Sequence, residues 1–430
     1  MIVRGLYTLI LACFSPILLW GLYRKKKGKP SIGKRWVEHF GKTPAVKGRP
    51  IWVHAVSVGE VLAAKSLVAE IQATYPDAPL LITTTTSTGA EQASRLPGQV
   101  IHRYMPVDFS WCVRGFLKAV SPRCLLIIET ELWPNTLHQV KRAKIPVALV
   151  NGRLSVRSYQ GYARLRALIT PLLQRLDLIL TVHKADAERF ISLGAESQRT
   201  MVTGSIKFDS QPNPEAVAQG RTLRQRLGGE ARQVWIAAST HQGEDEIILD
   251  AFLQLKQQVP SALLVLVPRH PERFHTVEQQ VRQKGYSVTK KTEFKASVLA
   301  PHIDVFLGDT MGEMMPMLAA SDVVFMGGSL LGAKVGGHNF IEPASLSLPI
   351  VTGSSYFNFA DLAQQLIEAD ALTVCDTASD IATETANLLQ VPSRRQAQGV
   401  AALHVVEQNR GAIQRTMLQL TYVIERNTDD

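Results

Sequence analysis

From Pro50 onward the apolar positions alternate between two patterns. Short unbroken runs such as "IWVHAVS" and "CLLIIET" are bounded by small or polar residues. Between them lie stretches with apolar residues three and four apart, such as "EVLAAKSLVAEIQATY". A short run apolar on both sides reads as a strand of a parallel sheet, and the 3.6-residue period as an amphipathic helix covering it. The alternation continues through "PLLITTTTS", "GAEQASRLP", "VIHRYMPVD", "FSWCVRGFLKAV", "WPNTLHQVKRA", "PVALVNGRLS", "LDLILTVHKADAERFISLG" and "TMVTGSIKFD". The polar stretch "SQPNPEAVAQG", with two prolines, then reads as a linker at 210–220. A second series begins with "QVWIAAST", "EDEIILDAFLQLKQQ" and "ALLVLVPRHPER". It adds "IDVFLGDT", "SDVVFMGGS" and "LPIVTGS" and closes in a long helical run from Arg394. The pattern predicts two doubly wound α/β domains, 30–209 and 221–430, the terminal helix belonging to the second. Ligands are then expected in an interdomain cleft, at the carboxyl ends of both sheets. A chain of 430 residues suits two such domains of about 200 residues each.

Ahead of this series, Leu6 to Tyr23 is an uncharged apolar run followed at once by "RKKKGKP". A cleavable signal would carry its basic residues first and a small-residue cleavage site after. The reversed order predicts a membrane anchor over 1–29, spanning or monotopic, with its basic end and the domains in the cytoplasm. A buried core helix is the competing reading. The net charge of +10 suits an anionic membrane, a phosphorylated substrate or a nucleic acid. The densest basic run abuts the apolar segment, which argues against nucleic acid. Cys13, Cys112, Cys124 and Cys375 form no C-x-x-C pair and read as plain thiols in a reducing compartment.

Candidate chemistry sits at the predicted strand ends. In "HAVSVGE", Gly59 stands alone, so the G-x-G-x-x-G of a dinucleotide site is missing and an oxidoreductase is disfavoured. Glu60 falls in the first turn of a helix, where the dipole favours the ionised carboxylate. It is a candidate general base, or simply a helix-stabilising acid. "IIETELWPN" ends a strand with Glu129 and Glu131; Arg153 of "NGRLS" is a candidate partner, and Lys207 of "GSIKFD" can offset developing negative charge. In the second half, "VPRHPERF" places Arg269, His270 and Arg273 past a strand. "GDTMGEM" opens a helix, and "MGGSLLGAKVGGHNFIEPA" carries two glycine pairs. Free N–H groups of Asn339 and Phe340 would make an anion site, with Glu342 placed for ribose hydroxyls.

In this order and spacing, "HAVSVGE", "ETELWPN", "GSIKFD", "VPRHPERF", "GDTMGE" and "GGHNFIEPA" resemble the 3-deoxy-D-manno-octulosonic acid (Kdo) transferases of lipopolysaccharide biosynthesis. The resemblance covers almost the whole chain, and departs from the family in a longer stretch, "LLGAKV", before the second glycine pair. It implies a GT-B glycosyltransferase fold. It also implies transfer of Kdo from CMP-Kdo to a lipid A precursor, at the cytoplasmic face of an anionic inner membrane. No cofactor, metal or nucleic acid is expected. By position, Glu60 matches the family's catalytic base, and Glu129 and Lys207 its transition-state stabilisers. Pro268, Arg269, Met311, Gly312, Glu313, Asn339, Phe340, Ile341 and Glu342 match its CMP-binding segments. A hydrolysing nucleotide-sugar epimerase of the same fold would not need the anchor, and a non-catalytic, membrane-tethered nucleotide sensor would not need Glu60.

Overall fold

The computed structural model describes residues 2–24, 30–209 and 211–426. The chain forms two compact units, 1–210 together with 409–430, and 211–408. Each is an α/β layer structure around one parallel sheet.

The first sheet contains β1 (Ile51–His54), β2 (Leu80–Thr84), β3 (Val100–Tyr104), β4 (Cys124–Ile128), β5 (Val147–Gly152), β6 (Leu178–Thr181) and β7 (Thr200–Val202). Their spatial order is β3-β2-β1-β4-β5-β6-β7. Chain direction across the sheet therefore reverses between β1 and β4, where His54 lies in register with Ile127. Alternate residues of β1 serve opposite faces: Ile51 and Val53 join one core with Leu67 and Leu126, and Trp52 joins the other with Phe116 and Leu149. Burial on both faces explains the unbroken apolar runs.

The last helix closes this first unit, which corrects the expected assignment of the terminal helix to the second domain. The long helical run is two helices, Pro392–Gln408 and Ala412–Glu425, broken at Gly411 with φ 84°. Ile413, Met417, Leu420, Val423 and Ile424 pack into the same core as Val61, Val68 and Leu126. Asp209 accepts from the Gly411 N–H at 2.6 Å and from the Ile413 N–H, fastening the helix start. An amphipathic stripe needs an apolar face to cover, and this one finds it on the first sheet.

The second sheet contains β8 (Val234–Thr240), β9 (Leu263–Pro268), β10 (Val288–Lys290), β11 (Val305–Leu307), β12 (Val323–Met326), β13 (Ile350–Thr352) and β14 (Leu372–Val374). Its order is β10-β11-β9-β8-β12-β13-β14, with the reversal between β8 and β12. The expected linker is shorter than its composition suggested. Ser210 lies outside the described residues, and Pro214–Arg226 is already a helix of this unit. Asn213 caps it by accepting from the Glu215 N–H at 3.0 Å, with Pro214 in the first turn. Gly220 permits close helix packing: a Cβ there would stand 2.5 Å from that of Ala319.

Ile2–Tyr23 is a single helix despite Pro16. Val3–Tyr23 is long and apolar enough to cross a membrane. Leu6, Leu9, Phe14, Ile17 and Trp20 are all more than half exposed, so the core-helix reading fails. Contact with the first unit includes Thr8, whose hydroxyl accepts from Asn135 Nδ2 at 2.9 Å. The basic residues Lys25 to Lys29 lie outside the described residues.

Candidate active site

In the first unit the sequence-predicted residues gather at the switch between β1 and β4, where open α/β sheets bind ligands. Ser57 caps the helix Val58–Thr74, its hydroxyl accepting from the Glu60 N–H. The Glu60 carboxylate reaches back, accepting from the Val56 N–H at 2.7 Å and the Ser57 hydroxyl at 2.9 Å. This resembles a capping box, so the helix-stabilising reading of Glu60 is correct as far as it goes. Yet Glu60 is only 8% exposed. Burial pushes its carboxyl up to about 7; the charges of Glu129 and Glu131 add to this, and the bonds from Val56 and Ser57 oppose it. The expectation that the helix end would favour ionisation is therefore corrected: desolvation outweighs the dipole. The result is a carboxyl poised to exchange a proton near neutral pH.

Glu129 follows β4 with φ 60°, an uncommon conformation for a residue with a side chain. Lys207 Nζ donates to its Oε1 at 2.7 Å. Glu131 accepts from Trp133 Nε1 at 3.1 Å. Lys207 is thus a cation paired with Glu129; Arg153 offers its backbone carbonyl to the Thr130 hydroxyl. Lys207 sits in the 3-10 turn Ile206–Asp209, and Asn151 fixes that turn. Asn151 is fully buried with φ 58°, and its Oδ1 accepts from the Ile206 N–H at 3.2 Å. It lies at an irregularity in the pairing of β5 with β6. Bulges recur beside active sites because they re-aim a side chain. Sequence reasoning passed over Asn151; its signal was an Asn-Gly pair at a strand end. It also passed over His54, whose Nδ1 meets the Thr83 hydroxyl at 2.9 Å and whose ring stands edge-on to Trp133. Burial brings that imidazole down to about 4, so it is neutral.

In the second unit the switch between β8 and β12 is organised by Glu244, which sequence reasoning read only as part of a helix. It is fully buried and accepts from four backbone N–H groups: His241, Gly328, Ser329 and Leu330, at 2.7–2.9 Å. The N–H groups of the first glycine pair are therefore taken up within the unit. Gly327 donates to the Ala238 carbonyl and Gly328 to Glu244. The anion site expected at Asn339 and Phe340 also changes character. The helix there, Ile341–Ser345, is one short turn, and Asn339 Oδ1 accepts from its first N–H at 3.0 Å. Phe340 is buried against Phe359.

Arg269 is exposed just past β9, its N–H held by the Thr240 carbonyl. Burial raises the Glu342 carboxyl, while Asn339 and the Arg269 charge act against it, so Arg269 and Glu342 share one locality. Arg273 is committed to Asp245 and the Thr240 carbonyl. Met311 and Gly312 form an exposed turn after β11, two strands away from β8 in the sheet, with Gly312 at φ 83°. Glu313 beside them is tied to Lys291 at 2.7 Å.

Two parallel seven-stranded sheets, each with its chemistry at the switch point, define a GT-B glycosyltransferase architecture. A solved UDP-GlcNAc 2-epimerase from Neisseria meningitidis shares that fold, with a TM-score of 0.60 at 14% identity over 87% of this chain and 99% of its own. The family pattern of 3-deoxy-D-manno-octulosonic-acid transferase (kdotransferase) matches residues 34–210. The 3-deoxy-D-manno-octulosonic acid transferase of Haemophilus influenzae is 36% identical over 99% of both chains. That of Bordetella pertussis is 36% identical over 96% of this chain and 98% of its own. The chain belongs to the Kdo transferase family and is a Kdo glycosyltransferase.

Proposed function

We propose that the protein transfers Kdo from CMP-Kdo to a lipid A precursor, lipid IVA, with inversion at the anomeric carbon and release of CMP. Glu60 takes the proton of a sugar hydroxyl on the acceptor, and that oxygen attacks C2 of Kdo. The electron pair of the broken bond stays on the CMP phosphate. Lys207, held by Glu129, offsets negative charge as it develops. Arg269 with Pro268, Met311 to Glu313, and Asn339 to Glu342 hold the CMP moiety. Positive side chains carry the electrostatic work in this scheme, which uses no metal or cofactor. The apolar helix places the enzyme at the inner membrane, with both units on the cytoplasmic side.

The observation that carries this reading is Glu60: a buried carboxyl beside the Glu129–Lys207 pair, with its proton affinity raised to about 7, in a chain of this family. The test is incubation with CMP-Kdo and tetraacylated lipid A precursor, with product masses and released CMP as readout. A mass gain of one or more Kdo units, with equimolar CMP, supports the reading. CMP release without acceptor modification would make the protein a hydrolase instead.

A further inference from the structure

The second unit holds three histidines in contact, of which sequence reasoning noticed only His270. His241 follows β8, and His338 precedes the Asn339–Glu342 segment. Their Nε2 atoms are 2.8 Å apart, and the ring planes differ by 8°. His270 stands edge-on to His241, with centroids 5.2 Å apart. Two lone pairs cannot face each other at 2.8 Å, so one proton lies between the Nε2 atoms. Among the described residues no three His, Cys, Asp or Glu are grouped to hold a metal. The pair is half-buried. His338 lies over Gly328, whose φ is 71°, and a Cβ there would come within 2.8 Å of the imidazole.

The charges around the pair are nearly all positive. Arg269, Arg273 and His270 face His241, with Glu244 the opposing carboxylate; Arg269 and His270 face His338. Glu244 is already taken up by four backbone N–H groups, and Arg273 is paired with Asp245. That leaves Arg269, His270 and the pair itself as the groups open to a ligand anion. Without such an anion, burial and these cations lower the proton affinity of both imidazoles, that of His338 to about 4, while Glu244 opposes this at His241. An anion at the site would reverse the field and favour a second proton on the pair.

We propose that His241 and His338 are the phosphate-contacting groups of the nucleotide site, and that binding of a nucleoside monophosphate draws a proton onto the pair. This rests on the reading that the second unit holds CMP. It adds a reason for the transfer to run forward. Breaking the sugar–phosphate bond turns a phosphodiester of charge −1 into a monoester approaching −2, and the extra electron pair stays on the phosphate. A protonated imidazole pair matches the product charge better than the substrate charge, which is the condition for stabilising the transition state.

The experiment is calorimetric titration of the full chain in detergent with CMP and with cytidine, in buffers of low and high ionisation enthalpy at pH 7.5. For CMP the expected result is net uptake of up to about one proton, with affinity rising as pH falls from 8.5 to 6.5. Cytidine should bind with no uptake. His338→Gln and His241→Gln, made separately and checked by thermal melt, should each abolish the uptake and weaken CMP about tenfold or more, while cytidine affinity holds. The pH dependence of the unaltered chain provides a test even if both variants unfold. CMP binding with no proton uptake and no pH dependence would overturn the proposal and leave the donor reading intact. Absence of CMP binding to the unaltered chain would overturn both.

Discussion

At the scale of single residues, the same carboxylate serves structure and chemistry. Glu60 completes a helix cap and, because it is buried beside Glu129 and Glu131, keeps its proton to unusually high pH. Glu60→Gln is nearly isosteric and cannot take a proton. Turnover should fall by about 10²–10⁴, with CMP affinity unchanged. In the unaltered enzyme kcat/KM should rise with pH through about 7, as Glu60 ionises, and that limb should vanish from the residual activity of the variant. Stability has a matching signature. A carboxyl raised from 4.5 to about 7 on folding holds a proton in the folded chain that the unfolded chain has already lost. Stability therefore falls as pH climbs through that window, and Glu60→Gln should be spared this loss. Comparing the melting temperatures of the two proteins at pH 5 and pH 8 reads the difference. Parallel changes with pH would mean Glu60 is not the group that titrates.

At the scale of elements, the loops after the central strands are held by buried side chains whose importance the residue pattern does not announce. The strands and most helices were legible because burial on both faces of a sheet leaves unbroken apolar runs. Glu60, Glu129 and Lys207 were legible as charges at strand ends. Asn151, Glu244 and the His241–His338 contact were not. Each depends on groups 55 or more residues away in sequence, as with Ile206 for Asn151 and Gly328 for Glu244. The same holds for the N–H groups of the glycine pair after β12, since a free and an occupied N–H read alike in sequence. Glu244→Ala leaves four backbone donors without their acceptor, three of them in the 328–330 loop. It should cost the second unit about 3 kcal/mol or more and disorder that loop. Glu244→Gln, with one acceptor oxygen in place of two, should fall between. Hydrogen exchange at Gly328 to Leu330, slow in the unaltered chain and fast in Glu244→Ala, checks this; equal protection in both would show that another group holds the loop.

At the scale of the whole molecule, the two ends of the chain make opposite contributions to the first unit. Ending the chain after Gln408 removes Ile413, Met417, Leu420, Val423 and Ile424 from its core. Each such side chain contributes about 1.5–3 kcal/mol on burial, so together they rival the stability of a whole domain. The first unit should fail to fold, and hydrogen exchange should show its strands unprotected while β8 to β14 stay protected. Removal of residues 1–29 should behave differently. Among the described residues the helix contributes no side chain to the two cores flanking the first sheet, and Leu6, Leu9, Phe14, Ile17 and Trp20 point outward. Asn135 loses Thr8 and Arg4 yet still donates to the Asp108 carbonyl at 2.7 Å. Asp108 loses Tyr7 but keeps the Asn135 and Thr136 N–H groups and the Thr136 hydroxyl, and His39 loses the Tyr23 hydroxyl. The truncated protein should therefore melt cooperatively near the temperature of the full chain. What it should lose is the membrane: the full chain pellets with anionic vesicles and the truncated one stays in the supernatant. Activity should drop more on acceptor embedded in bilayers than on acceptor dispersed in detergent, since only the former needs the enzyme at the surface. Salt provides a separate check. The run Arg24 to Lys27 adds about 1 kcal/mol per residue near an anionic surface, an attraction that ions screen. A chain lacking only the apolar residues before Arg24 should bind weakly and be released as salt rises. Aggregation of the truncated protein without a cooperative melt would show instead that the helix supports the fold.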